Sequence, residues 1–247
     1  MKKFFFLMLT AVAAVALVSC KPENKDKPDQ PGKTYRLVKY VDAYAGTFDY
    51  AYGNDGKIAT ITRVEEYDGE TFNSVYTFNY KDAKNLEILE GESVKYTVEL
   101  NDKGFATKFA DQWDTYLISY DADGHMTKVE RDGGIFSEIT WQNGNITKWT
   151  KKEENGSFSE KLHTYGADKN VAKIHNIFSE KCGIPRWLME TGIGGAATEN
   201  LCTGNGWGDA SLSSYEYEAN DDNYVTKEIK KGADYEEVGT YTWEEVK

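Results

Sequence analysis

The stretch ISYDADGHMTKV, residues 118–129, contains the pattern that decides the fold of this chain. Up to Tyr120, apolar and polar side chains alternate, as they do in a half-buried β-strand. The turn that follows ends on Gly124, a residue type that readily adopts the positive φ of tight hairpin turns. A second apolar segment then begins at Met126. The stretch therefore predicts one β-hairpin.

The same hairpin unit recurs along the chain from Thr34 onward. Its anchor residues Tyr80, Leu100, Tyr120 and Trp141 are 20, 20 and 21 residues apart, which is about one hairpin per repeat. Proline is almost absent from this part of the chain, as expected where backbone N–H groups pair in a sheet. We predict a mainly all-β domain over residues 34–247. Its antiparallel meander of roughly fourteen strands should curl into an open or partly closed barrel.

The repeat is interrupted between Tyr165 and Tyr217, which are 52 residues apart. Residues 171–188 carry apolar side chains at helical spacing, and Pro185 would stop or kink such a helix. The remainder of the gap is rich in glycine and is predicted to be loop. We therefore expect one short helix and loop insert near residues 171–208.

Residues 1–19 have the pattern of a lipoprotein signal peptide. Two lysines precede an apolar run of 15 residues, interrupted only by Thr10, which is too short to cross a bilayer core of about 30 Å as a helix. Small residues before Cys20 resemble a bacterial lipobox, which implies cleavage between Ser19 and Cys20 and acylation of Cys20, for example with palmitate. The alternative is an ordinary secretory peptide. Residues 20–33 would then be a lipidated, flexible tether, because they hold three of the four prolines and no large apolar side chain.

The net charge of -12, from 29 basic and 41 acidic residues, argues against a nucleic-acid partner, because binding to phosphates needs a basic face. With 14% aromatic residues and a mean hydropathy of -0.64, the chain resembles neither a disordered protein nor a helical membrane protein. A transmembrane barrel would need strands with one apolar, lipid-facing side. Segments such as 64–71 and 217–222 are too polar for that role. The membrane is therefore expected as a partner only through the lipid anchor.

The repeated units resemble the YD-type repeats of bacterial surface proteins. Together with the lipobox and the Ala-Ala-Thr-Glu-Asn-Leu stretch at residues 196–201, they resemble a family of uncharacterised Bacteroidetes lipoproteins. This resemblance spans about Tyr35 to Trp243. It implies a porin-like, curled β-sheet and a location in the cell envelope, lipid-anchored to the outer membrane on its periplasmic or cell-surface face. The family brings no catalytic residues to carry over.

Two cysteines remain once Cys20 is lipidated. Cys182 and Cys202 are 20 residues apart, and in an exported chain this spacing predicts a disulfide that pins the insert, worth roughly 3 kcal/mol. Two buried free thiols are the alternative. The spacing of the three histidines matches no zinc motif. The Asp-x-Asp-Gly turn at 121–124 lacks the ligand set of a calcium loop. We expect no metal and no cofactor.

Tryptophans of the insert are the candidate ligand contacts. Trp187 and Trp207 lie in the irregular segment, where binding residues often collect, whereas the tryptophans of the repeats are expected to fill the sheet. No nucleophile-elbow or phosphate-loop motif is present in the sequence. We therefore predict a non-enzymatic binding or scaffold module for a glycan or protein ligand. The alternatives are a carbohydrate-active hydrolase with a carboxylate pair beside Trp187 or Trp207, and a purely structural envelope protein.

Overall fold

The first and last strands of the domain pair with each other and close the sheet. In the computed structural model, which describes residues 33–42, 45–175, 183–208 and 213–246, Tyr40 of the first strand lies opposite Tyr241 of the last. The sheet is therefore a closed barrel whose neighbouring strands are all antiparallel. Because residues Lys33–Lys247 form one compact unit with its own closed sheet and core, they can be produced as an independent domain.

Sixteen strands follow one another around the barrel in chain order. They are β1 (Tyr35–Asp42), β2 (Gly46–Tyr52), β3 (Ile58–Tyr67), β4 (Glu70–Tyr80), β5 (Asn85–Glu90), β6 (Ser93–Leu100), β7 (Ala106–Ala110), β8 (Thr115–Tyr120), β9 (Met126–Arg131), β10 (Gly134–Gln142), β11 (Asn145–Lys152), β12 (Phe158–Lys169), β13 (Asn200–Trp207), β14 (Ser213–Ala219), β15 (Val225–Lys231) and β16 (Glu236–Glu245). The predicted all-β meander is confirmed, with sixteen strands where roughly fourteen were expected.

The two ends of the barrel differ in what they carry. The terminal end is the end at which β1 begins and β16 ends. The turns after even-numbered strands are also at this end, among them 53–57, 121–125 and the insert at 170–199. At the far end lie the turns after odd-numbered strands. Two of these are the Asp-Gly turns at 68–69 and 132–133, and all four residues there have positive φ, as two-residue hairpin turns require.

The barrel is filled by the inward-facing side chains of its strands. Trp149, Tyr40, Phe48 and Phe109 are among the largest side chains that are fully buried. Outward-facing positions carry ion pairs such as Lys148–Glu160, 3.0 Å between nitrogen and oxygen. Such pairs suit a surface in water, whereas a lipid-facing band is apolar. None of the helices in the described ranges is long and apolar enough to cross a membrane.

The aromatic anchors of the repeats have a common structural role at the terminal end. Five aromatic side chains near the ends of strands donate, through a hydroxyl or an indole N–H group, a hydrogen bond to a backbone carbonyl near the start of the preceding strand. The bonds are Tyr52 to Leu37 (2.6 Å), Tyr120 to Ala106 (2.8 Å), Trp141 to Met126 (2.7 Å), Tyr217 to Cys202 (2.7 Å) and Trp243 to Val225 (2.7 Å). The repeat therefore encodes a ring of aromatic side chains that ties neighbouring strands together.

The insert differs from the sequence-based expectation in two respects. Within its described residues, 170–175 and 183–199, the helical part is a single turn, α1 (Arg186–Leu188), followed by a π-helical turn over Met189–Ile193. Pro185 immediately precedes α1, where its fixed φ suits a helix start. The glycine-rich residues 200–207, expected to be loop, form β13, where the missing side chain of Gly204 lets Thr164 approach.

Candidate functional site

The insert occupies the interior of the barrel as a plug. The indole of Trp187 stacks on Tyr76 and on Phe48, with ring centroids 4.6 and 5.7 Å apart. The Tyr50 hydroxyl donates a hydrogen bond of 3.1 Å to the Trp187 carbonyl. The next residue, Leu188, is fully buried. The plug is thus packed as part of the hydrophobic core.

Backbone hydrogen bonds hold both ends of the insert at the terminal end of the barrel. The Asn170 N–H donates to the Glu199 carbonyl over 3.0 Å, and the Ala196 N–H donates to the Gly124 carbonyl over 2.8 Å. Gly195 has a φ of +100°, and a Cβ there would lie 2.6 Å from the Gly124 oxygen. Only glycine fits this approach, which explains part of the glycine-rich composition of the insert.

Arg186 connects the plug to the barrel wall through an ionic network. Its guanidinium donates hydrogen bonds to Glu228 of β15 (3.0 Å) and to the Tyr241 hydroxyl of β16 (2.5 Å). It also lies 3.7 Å from the Asp42 carboxylate of β1 and 3.6 Å from Glu190 of the insert. A buried cation surrounded by three carboxylates is held strongly in place, because none of these charges can be left alone out of water. We call this group the Arg186 latch.

Glu190, which belongs to the latch, and His175, which lies beside it, both have shifted pKa values. Burial raises the pKa of Glu190 to about 7, although Arg186 and the backbone N–H of His175 favour the carboxylate. That N–H lies 3.2 Å from both carboxylate oxygens. Burial lowers the pKa of His175 to about 4, since an imidazolium is costly in an apolar interior.

A cleft of about 440 Å³ opens at the terminal end, between the insert and the wall. On the wall side it is lined by Tyr35, Arg36, Tyr52 and Trp243, and on the insert side by Lys173, His175, Glu190 and residues 195–197. The Arg36 guanidinium lies 4.6 Å above the Tyr52 ring. An aromatic lining with a few convergent polar groups and this volume are typical of small-ligand sites.

The two tryptophans predicted as ligand contacts lie apart. Both faces of Trp187 are engaged by the core, so a ligand could reach it only if the plug moved. Trp207 lies at the far end, half-buried, with the Lys161 ammonium 5.6 Å from its ring and the Trp149 ring at 6.3 Å. Neither lines the cleft, and ligand contact at either remains a prediction. The cleft residues Tyr52 and Trp243 are repeat anchors, whose convergence depends on the closure of the barrel.

Three of the predicted covalent sites lie outside the described residues, namely Ser19, Cys20 and Cys182. Cys202 is a buried thiol whose sulfur lies 3.3 Å from the Gly204 carbonyl oxygen. Burial raises its pKa to about 12, so that the thiol stays protonated near neutral pH. The disulfide with Cys182 remains a prediction.

The Asp121–His125 turn brings three metal-type side chains together. Single ligand atoms of Asp121, Asp123 and His125 lie within 4.8 Å of one another. One oxygen of Asp121 accepts the backbone N–H groups of Asp123 and His125, and the other lies 2.9 Å from the His125 ring. These are the bonds by which an aspartate stabilises a turn, so the cluster is explained by the hairpin itself.

Comparisons with known proteins give a structural likeness. No family model and no curated protein matches the chain. Among solved structures, a porin-like protein from Bacteroides uniformis ATCC 8492 aligns with a TM-score of 0.66 and 22% identity, over 88% of this chain and 99% of that one. A porin-like protein from Bacteroides vulgatus ATCC 8482 aligns with a TM-score of 0.47 and 12% identity, over 86% and 100%. The first likeness shows that the chain has the fold of a porin-like barrel.

Proposed function

We propose that the protein is a cell-envelope lipoprotein, held to the outer membrane by acylated Cys20, and that it acts as a non-enzymatic module that binds a glycan. The observation that carries the proposal is the cleft at the terminal end, where the wall residues Tyr52 and Trp243 face the insert. Aromatic walls offer flat apolar surface to a ligand, and a few fixed polar groups select its orientation.

The polar groups of the cleft are suited to hydroxyl groups. Arg36 contributes N–H donors, and its Nη2 is held 2.6 Å from Glu244, so that its orientation is set before a ligand arrives. Lys173 contributes an exposed ammonium from the insert. A ligand that carries both apolar faces and many hydroxyls, as a sugar does, uses both kinds of surface. Preorganised groups of this kind reduce the entropic cost of binding.

The position of the cleft relative to the tether supports a ligand close to the membrane. Tyr35 and Arg36, which line the cleft, begin β1 directly after the tether. Residues 20–33 can extend at most about 50 Å at roughly 3.5 Å per residue. Acylated Cys20 would therefore keep the cleft within that distance of the bilayer.

The hydrolase alternative receives less support. Two carboxylates with buried side chains, Glu190 of the insert and Glu228 of β15, do lie within the barrel, and Glu190 has a raised pKa. Arg186, however, engages both, and Glu228 is not part of the cleft lining. A glycosidase pair needs one free acid and one free nucleophile or base facing the same bond. Because the charges of Arg186 and its carboxylates neutralise one another, this network is better suited to holding the insert than to catalysis.

The experiment is a glycan screen of the domain, residues 33–247, followed by calorimetry on any ligand found. The Tyr52→Leu variant should weaken binding by about tenfold, equivalent to ~1.4 kcal/mol. The matched control is Tyr80→Leu, because Tyr80 is an anchor of the same repeat outside the cleft lining. Equal losses in both variants, or no glycan bound, would contradict the proposal. Sugar release that Glu190→Gln abolishes would favour the hydrolase.

A further inference from the structure

Exposed apolar side chains collect at the far end of the barrel. In the described ranges, twelve large hydrophobic side chains are exposed, and eight of them lie in a far-end turn or within three residues of one. These eight, which we call the far-end rim, are Tyr67, Phe72, Val94, Trp113, Leu117, Ile135, Phe158 and Tyr235. Trp113 is 80% exposed and Tyr67 is 73% exposed. The terminal end has two such side chains, Val171 and Val246. An apolar patch concentrated at one end marks an interaction surface.

The turns between these side chains are acidic. Within the described residues, the far-end turns contain the eight carboxylates of Asp68, Glu92, Asp111, Asp114, Asp132, Glu153, Glu154 and Asp234, and no lysine or arginine. Arg131, at a strand end, lies 3.8 and 3.9 Å from Asp114 and Asp132, and Lys151 pairs with Glu153. The hairpin turns of the terminal end contain seven carboxylates, together with Lys57, Lys81, Lys84 and Lys103. The two ends therefore differ in their turn lysines, so that the described far-end turns carry a formal charge of -8 and the terminal-end hairpin turns one of -3.

We propose that the far-end rim docks a cationic polypeptide that presents lysine or arginine next to apolar side chains. The apolar rim residues would anchor the partner, and the acidic turns would select its charge and accelerate association. Trp113 and Tyr67 are the strongest anchor candidates, because tryptophan and tyrosine are enriched among the residues that contribute most to interfaces. This surface is separate from the terminal-end cleft, so the two proposals stand independently.

The size and charge of the far end favour a polypeptide over other occupants. Sixteen strands about 4.8 Å apart and tilted by ~40° enclose a round end face of roughly 800 Å². That area is about what one partner contributes to a standard protein interface. An anionic membrane surface would be repelled by the acidic turns.

The test uses the domain, residues 33–247, and three labelled synthetic peptides. One peptide alternates lysine with leucine, one lysine with serine, and one glutamate with leucine. Fluorescence anisotropy measures the dissociation constant of each. One rim variant is Tyr67→Ser/Phe72→Ser/Trp113→Ser, and a charge variant is Asp68→Asn/Glu92→Gln/Asp234→Asn. The control variant, Val171→Ser/Val246→Ser, removes the exposed apolar side chains of the terminal end. Because all these side chains are at the surface, thermal melts should show folded protein in every case.

We expect the lysine–leucine peptide to bind best, and each far-end variant to weaken it by about tenfold or more while the control stays within about twofold. Rising salt should weaken the remaining binding of the apolar variant more than that of the charge variant. Equal binding of the lysine–serine peptide would overturn the proposal, because charge alone would explain it. Equal losses of affinity in the control variant would also overturn the proposal. Binding of neutral glycans or zwitterionic vesicles at the rim, without binding of the peptide, would overturn it as well.

Discussion

Arg186 and Glu228 form an ion pair inside the barrel, with a nitrogen–oxygen distance of 3.0 Å. One residue belongs to the insert and the other to β15, and they are 42 positions apart in the chain. The pair therefore joins the plug to the wall at a point that is largely removed from water, where the Glu228 side chain is 6% and the Arg186 side chain 18% exposed. Its strength decides whether the insert is a permanent part of the core.

Removing the arginine should destabilise the protein strongly. Arg186→Met leaves Glu228, Asp42 and Glu190 without their shared cation, and such an uncompensated buried charge costs about 3–5 kcal/mol of unfolding free energy. Urea denaturation followed by tryptophan fluorescence measures the loss. The matched control is Lys148→Met, which breaks an exposed pair and should cost less than about 1 kcal/mol. A loss for Arg186→Met as small as the control's would contradict the latch.

A double variant separates charge from packing. Arg186→Met/Glu228→Met replaces the ion pair by apolar side chains, and such replacements are often neutral compared with breaking the pair. The double variant should therefore recover at least about 1 kcal/mol of what the single variant loses. No recovery would mean that the arginine acts mainly through Tyr241 or Asp42.

Trp187 should contribute as a core residue. Trp187→Ala removes an indole that is stacked between Tyr76 and Phe48, and a truncation of this kind typically costs about 3–5 kcal/mol. Trp113→Ala is the matched control, because its side chain is 80% exposed and its loss should change stability by about 0.5 kcal/mol or less. Chemical denaturation of both variants gives the comparison. If Trp187→Ala were as stable as the control, the plug would not be packed as the structure places it.

Local features of the fold were predictable from the sequence, and long-range features were not. The hairpin around Gly124 follows from residues that are neighbours in the chain, and it is confirmed. The closure of the barrel depends on Tyr40 meeting Tyr241, and no local pattern encodes a pairing across 201 positions. Gly204 lies in a glycine-rich stretch of the kind that is typical of loops, yet β13 needs glycine there because Thr164 packs against it.

The candidate site was predictable only in part, for the same reason. Tyr52 and Trp243 are strand aromatics of the repeats that the sequence does not single out, and their approach to one cleft follows from ring closure. No sequence pattern identified Arg186 as a buried residue, because a single arginine after a proline resembles any surface residue. Its buried role arises from carboxylates on β1 and β15, which the fold alone brings together.

Glu190 should make a contribution to stability that falls as the pH rises from about 4.5 to about 7. Its folded-state pKa of about 7 exceeds the ordinary value of 4.5, so the folded state binds the proton more tightly. This contribution is fully present below pH 4.5 and is lost as the pH rises through about 7. His163 and His175 act oppositely, since their pKa values of about 3 and about 4 lie below 6.5 and their contribution is lost as the pH falls from 6.5.

The two effects can be separated by comparing the wild type with Glu190→Gln, because both proteins keep the two histidines. The histidines should make both proteins more stable as the pH rises from about 4 to 7. The stability of the wild type relative to Glu190→Gln should fall as the pH rises from about 4.5 to about 7 and change little above that, as urea midpoints of the two proteins would measure. A difference between the two midpoints that is constant from pH 5 to pH 8 would show that Glu190 titrates at its ordinary pKa.

His163 should be a position where an apolar residue improves stability. It lies on β12, buried opposite Asn205, and neither ring nitrogen has a hydrogen-bond partner among the described residues. Leaving such polar atoms buried without a partner costs about 1–3 kcal/mol. His163→Leu should therefore raise the unfolding free energy by about 1 kcal/mol, whereas His163→Gln, which keeps polar atoms in place, should give no gain. Loss of stability in the leucine variant would instead indicate a buried water bound to the ring.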